Sequence, residues 1–114
     1  MTTTNPNPFI SATAMLQALR EHRLSSVELL ELHLQRIQRH NSAINAIVIP
    51  DYENAREAAV KADEDRSKGD WRPMLGLPLT IKDCIDVQGL RGTAGVEAFA
   101  ERVPDADAQI TAPA

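Results

Sequence analysis

The chain has 114 residues, with 12 Lys and Arg against 16 Asp and Glu, a formal net charge of −4 and 43% hydrophobic residues, which suits a soluble protein of one domain at most. The acidic balance argues against nucleic acid as a partner, and no apolar run reaches the roughly 18–20 residues of a membrane span. No secretory signal leads the chain and the single cysteine, Cys84, cannot close an internal disulfide, so a cytoplasmic protein without a disulfide scaffold or zinc ribbon is expected.

Residues 1–10 read as a flexible polar lead. Ser11 is a plausible N-cap for a first helix running to about His22, with Met15, Leu16 and Leu19 at helical spacing. Ser25 followed three residues later by Glu28 is a capping box that opens a second helix. Val27, Leu30, Leu34 and Ile37 share one face of it, and Leu29 and Leu32 widen the stripe, which reads as core packing. Arg36, Arg39 and His40 suit the last turn, and Asn41 and Ser42 end the helix.

Ala43 to Ile49 carries Ile44, Ile47, Val48 and Ile49 before Pro50. This pattern predicts a short buried strand. Asp51 then caps a third helix with Tyr52, Ala55, Ala58, Ala59 and Ala62 near one face, a solvated charge run from Lys61 to Lys68, and Gly69 as terminator. From Leu75 to Asp83, Leu77, Leu79 and Ile81 alternate with Pro78, Thr80 and Lys82. A period of two predicts a second strand, the aliphatics on one face and Thr80 and Lys82 on the other. Beyond Asp86 the chain is punctuated by Gly89, Gly92, Thr93 and Gly95. The fold class expected from these elements is mixed α/β, three helices with short strands of an incomplete sheet. Aromatics make up only 4% of the residues; the core must come from Leu, Ile, Val and Ala, a first hint of something larger.

Lys82 is the position that asks for a chemical explanation. It ends the apolar run, opposite the aliphatics, where strand ends commonly present catalytic groups. The alternative is a surface lysine pairing loosely with Asp83 or Asp86. Cys84 has no His close in sequence to activate it and reads as an inert thiol. His22, His33 and His40 make no i, i+4 pair, and the aspartates have no calcium-loop spacing, so neither a metal nor a cofactor is expected.

The run Leu77–Pro78–Leu79–Thr80–Ile81–Lys82–Asp83, followed by Thr93–Ala94–Gly95, resembles the N-terminal part of the amidase signature family. The helix opening at Ser25, the segment Asn45–Ala46–Ile47–Val48 and the Ala-rich helix after it are similar too. The resemblance covers residues 11–108 as a partial amidase-signature domain and leaves 109–114 as a tail unlike the family. It implies hydrolysis or transfer of amide nitrogen by a Ser–cis-Ser–Lys triad whose lysine is Lys82, acting on a small-molecule amide. A lysine that acts as a base must bring its pKa from about 10.4 towards neutrality, and three units correspond to about 4 kcal/mol. Burial in a dry site can supply that.

The family's two serines lie in a Gly/Ser-rich segment downstream of the lysine, and no such run occurs here. Ser11, Ser25, Ser26, Ser42 and Ser67 all precede Lys82 and suit caps, helix ends or a first helical turn. The expectation is an N-terminal amidase fragment, inactive alone, whose amide substrate would bind only once the missing segment completes the site. The alternative is a non-catalytic pseudo-enzyme or small interaction module. Self-association through exposed apolar faces is expected of the fragment, whereas a monodisperse folded product would favour the module.

Overall fold

The computed structural model describes residues 7–112, and its element order is α1 (Ala12–Arg20), α2 (Ser26–Ile44), α3 (Tyr52–Ser67) and a single 3₁₀ turn at Glu97–Phe99. Most of the polar lead expected at residues 1–10, and the last two residues of the tail, lie outside the described residues. The chain divides into two units, one formed by the residues up to 47 together with 52–78, the other by 48–51 together with the residues from 79 onward.

Local chemistry sets the helix ends of the first unit. Ser11 caps α1 by accepting the Ala14 N–H, and Ser25 and Glu28 complete the capping box of α2. The end of α1 is a two-bond wrap: Arg23 N–H reaches the Ala18 carbonyl at 2.9 Å and His22 N–H the Leu19 carbonyl at 3.2 Å. His22 takes the left-handed conformation this wrap requires, with φ 55°. α3 ends the same way, through Asp70 to Asp65 at 2.9 Å and Gly69 to Arg66 at 3.0 Å. There the left-handed residue is Gly69, the terminator read from the sequence.

α2 runs past Asn41 and Ser42 to Ile44, so its last turn holds no basic residue. Its stop is Asn45, left-handed at φ 48°. The Asn41 side chain stays inside the helix and grips the chain beyond it, donating to the Ile47 carbonyl at 3.0 Å and accepting from the Ile47 N–H at 2.9 Å. A side chain able to satisfy backbone groups six residues away made Asn41 look like a stop signal, whereas it is the brace just before the stop.

The apolar core of this unit is Met15, Leu19 and Leu29, with Ile10, Leu16, Leu24 and Leu77 packed against it. Leu19 and Leu29 are fully buried, and each such burial contributes about 2 kcal/mol. α3 packs on α2, and its Ala59 and Ala62 are buried; Ala58 faces solvent.

A second anchor is ionic. Asp63, on α3, accepts the N–H groups of Ser26 at 2.7 Å and Val27 at 3.3 Å and so caps the start of α2 from outside. Arg66, one turn along, donates to Asp63 at 2.7 Å, to the Ser26 hydroxyl at 2.8 Å and to the Leu75 carbonyl at 3.2 Å. Arg66 is buried, and among the described residues its Nε has no hydrogen-bond partner. Partial burial opposes the Asp63 charge, but the Ser26 amide, the Arg66 guanidinium and the Val27 amide outweigh it and hold this carboxyl below its usual range.

The mixed α/β expectation is wrong: among the described residues there is no β-strand. Ile44 belongs to α2, and residues 46–49 form no strand, the Ile47 backbone bonding to the Asn41 side chain instead. Of the alternating aliphatics, Leu77 joins the core, while Leu79 and Ile81 are exposed. The physical reason lies in what a strand is. Alternation supplies a face, but a strand exists only when a neighbouring segment exchanges backbone hydrogen bonds with it. The backbone bonds near this run close turns instead, Leu77 to Met74 at 3.1 Å and Ile85 to Lys82 at 2.9 Å.

The second unit is built from turns stitched by carboxylates. Two cross-chain backbone bonds, Gly92 to Arg102 and Gly89 to Pro104, both at 3.0 Å, bring its two arms together. Asp107 accepts the Gln88 N–H at 2.7 Å, and the Asp86 carbonyl accepts from the Ala108 N–H at 3.0 Å and the Thr111 hydroxyl at 2.7 Å.

Candidate active site

Lys82 opens the turn closed by the Ile85 N–H on its own carbonyl. Its side chain is exposed, and among the described residues no hydrogen bond or ion pair involves its amine. A loose surface pair with Asp83 or Asp86 is therefore not what the structure contains, because both carboxylates are committed elsewhere.

Asp83 is turned to the Thr93–Ala94–Gly95 turn. One of its oxygens accepts the Thr93 N–H at 3.2 Å and the other the Thr93 hydroxyl at 2.5 Å. Gly95 N–H in turn donates to the Thr93 hydroxyl oxygen at 3.2 Å. Ala94 and Gly95 are consecutive left-handed residues, φ 51° and 72°, the central pair of a tight turn closed by the Val96 N–H on the Thr93 carbonyl at 2.9 Å. The Thr93 hydroxyl, then the Thr93 amide, with the Gly95 and Ala94 amides behind them, holds the Asp83 carboxyl below its ordinary range.

Asp86 faces Arg102, which donates to both carboxylate oxygens at 2.8 Å. The same guanidinium reaches the Gly92 carbonyl at 3.3 Å. This pairing lowers the Asp86 carboxyl and raises the Arg102 guanidinium. Arg102 thus ties the Lys82 turn to the chain beside Thr93.

Around these contacts lies an open depression of about 650 Å³, lined by Asp83, Cys84, Thr93, Phe99, Arg102 and Ile110 among others. Cys84 is a free, exposed thiol. Among the described residues no group of three or more His, Cys, Asp or Glu side chains could hold a metal ion. No helix there is long and apolar enough to cross a membrane.

The serines belong to the first unit. Ser11 and Ser25 are helix caps, Ser26 is buried against Arg66, and the Ser67 hydroxyl donates to the Glu64 carbonyl at 2.6 Å. Ser42 lies exposed on α2. Residues 79–114 hold no serine. The sequence singles out Lys82 as a candidate but not Thr93 and Arg102 as the partners of Asp83 and Asp86; the Thr-Ala-Gly turn is the visible signal for the first of them.

Comparison with known proteins adds an independent line. A family model described as Amidase matches residues 28–113. The chain is 38% identical over 100 residues to a glutamyl-tRNA(Gln) amidotransferase subunit from Aromatoleum aromaticum, covering 88% of this chain and 20% of the relative. The proteins of the same name from Roseiflexus sp. and Moraxella catarrhalis are 40% and 36% identical, over 84% and 89% of this chain and 20% of each relative. The chain spans about a fifth of the length of these curated relatives. With the family model matched along most of its length, and the lysine turn held as a defined structure, the chain belongs to the amidase family.

Proposed function

We propose that this chain supplies the proton-accepting lysine, Lys82, of an amide-cleaving Ser–cis-Ser–Lys site, and that it does not turn over amides by itself. The observation that carries the reading is the state of Lys82. It stands on a turn fixed by two carboxylates, neither of which neutralises its amine. In the neutral form that amine takes a proton from a bridging serine, which takes one from the nucleophilic serine. The serine oxygen bonds to the amide carbon, the C–N bond breaks, and the proton held by the lysine returns through the relay to the departing nitrogen. Both hydroxyls have to come from outside residues 79–114, which carry no serine.

Relatives named as glutamyl-tRNA(Gln) amidotransferase subunits support amide nitrogen as the group handled. The net charge of −4 gives no support to direct contact between this segment and RNA phosphates.

The test is release of ammonia from simple amides and glutamine by the purified 114-residue chain. The expected result is no release above the buffer blank, with the Lys82→Ala variant indistinguishable. Turnover that is lost in Lys82→Ala would overturn the claim that the chain needs serines from elsewhere.

A further inference from the structure

Two carboxylates lie within four residues of Lys82 in sequence, and each is fully engaged by the segment from Gly92 to Arg102. Asp86 spends both oxygens on Arg102. Asp83 spends both on Thr93, one on the amide and one on the hydroxyl. The two cases differ in kind. Arg102 neutralises its carboxylate with a full charge, whereas Thr93 holds its carboxylate with neutral donors only and leaves the negative charge intact beside Lys82.

We infer that Thr93 is a positioning residue that withholds the Asp83 carboxylate from the neighbouring Lys82 ammonium. This inference rests on the reading of Lys82 as a base. An unrestrained carboxylate next to a lysine favours the ammonium form and so works against proton acceptance. The Thr93 amide and hydroxyl each take one Asp83 oxygen and so orient this carboxylate toward Thr93. The turn after Thr93 places a non-glycine residue, Ala94, at φ 51°, and its Gly95 N–H donates to the Thr93 hydroxyl oxygen that bonds Asp83.

The other charged groups of this unit leave the logic unchanged. Asp107 is bonded to Gln88, Asp51 is half-buried, and Arg91, Glu97, Glu101 and Asp105 are exposed.

The experiment is competitive acylation of the full 114-residue chain at fixed mildly alkaline pH, with an activated ester as probe. Peptide mass spectrometry reads the extent at Lys82 against Lys68 in the same molecule. Thr93→Val keeps the shape and the backbone N–H but removes the hydroxyl that holds one Asp83 oxygen. It is expected to slow labelling of Lys82 relative to Lys68 by about two- to five-fold, the range an exposed ion pair supplies. Thr93→Ser retains the hydroxyl and is expected to label like the parent chain. The double variant Thr93→Val with Asp83→Asn lacks the carboxylate and is expected to recover the parent rate. Labelling that is unchanged or faster in Thr93→Val, or slowing that persists in the double variant, would overturn the inference. The readout does not depend on amide turnover, so its failure is separate from failure of the base assignment.

Discussion

Asp63 and Arg66 form a 2.7 Å ion pair that fastens three segments at one point. The carboxylate holds the first amides of α2, and the guanidinium holds the Ser26 hydroxyl and the Leu75 carbonyl. Removing one member leaves the other without its charge partner, which costs far more than an exposed pair is worth. Asp63→Ala is expected to destabilise the first unit by about 3 kcal/mol, combining a lost buried partner with a lost helix cap, read as a fall in the urea midpoint of helical circular dichroism. Arg66→Met, which keeps the packed stem and leaves Asp63 on its amides, is expected to cost less.

The same pair gives a pH dependence with a definite sign. The folded-state carboxyl of Asp63 lies below its ordinary value. Its stabilisation is complete above the unfolded value of about 3.9. It disappears as pH falls through the lower folded value. Helical stability is therefore expected to drop below about pH 4, and Asp63→Asn to flatten that part of the profile. An unaltered acid limb in Asp63→Asn would contradict the assignment.

Gly76 separates strain from crowding. Its φ is +83°, and a Cβ there would collide with the Ser26 hydroxyl and the Arg66 guanidinium. Gly69 has nearly the same φ, +85°, with open space around the position. Gly69→Ala is expected to cost only the left-handed term of about 1–2 kcal/mol. Gly76→Ala carries that term and also disrupts the buried ion pair, so its urea midpoint should fall further. Equal losses at the two sites would show that the knot around Arg66 tolerates intrusion.

The signals legible in the sequence were the local ones. Ser11, the Ser25–Glu28 box and Gly69 each act within four or five residues, and each does what its spacing says. The ionic knot was invisible because Ser26 and Asp63 are 37 positions apart. The strands failed for a related reason: Leu79 and Ile81 have the period of a strand, but no local pattern contains the partner that would make them one. Lys82 was legible as a motif, while the fates of Asp83 and Asp86 depended on Thr93 and Arg102, 10 and 16 residues away.

Apolar exposure predicts behaviour in solution. Phe9 and Ile110 are 76% and 81% exposed, and Ile44, Leu79 and Val103 are also more than half exposed. Such surface on a chain of this size favours association. Sedimentation velocity at micromolar concentration is expected to show species heavier than 12.5 kDa, with broad thermal unfolding. A monodisperse monomer with one sharp cooperative melt would contradict this.

The most direct measurement of the role of Lys82 is amide hydrolysis by a chimera in which this chain replaces the matching segment of an active, full-length amidase-family protein. With the chimera active, K82M is expected to lower kcat/KM by about 10²–10⁴-fold, the range a positioned general base contributes, with the overall fold intact by circular dichroism. A K82M chimera that cleaves amide at the same rate as its parent would show that this lysine accepts no proton in the reaction.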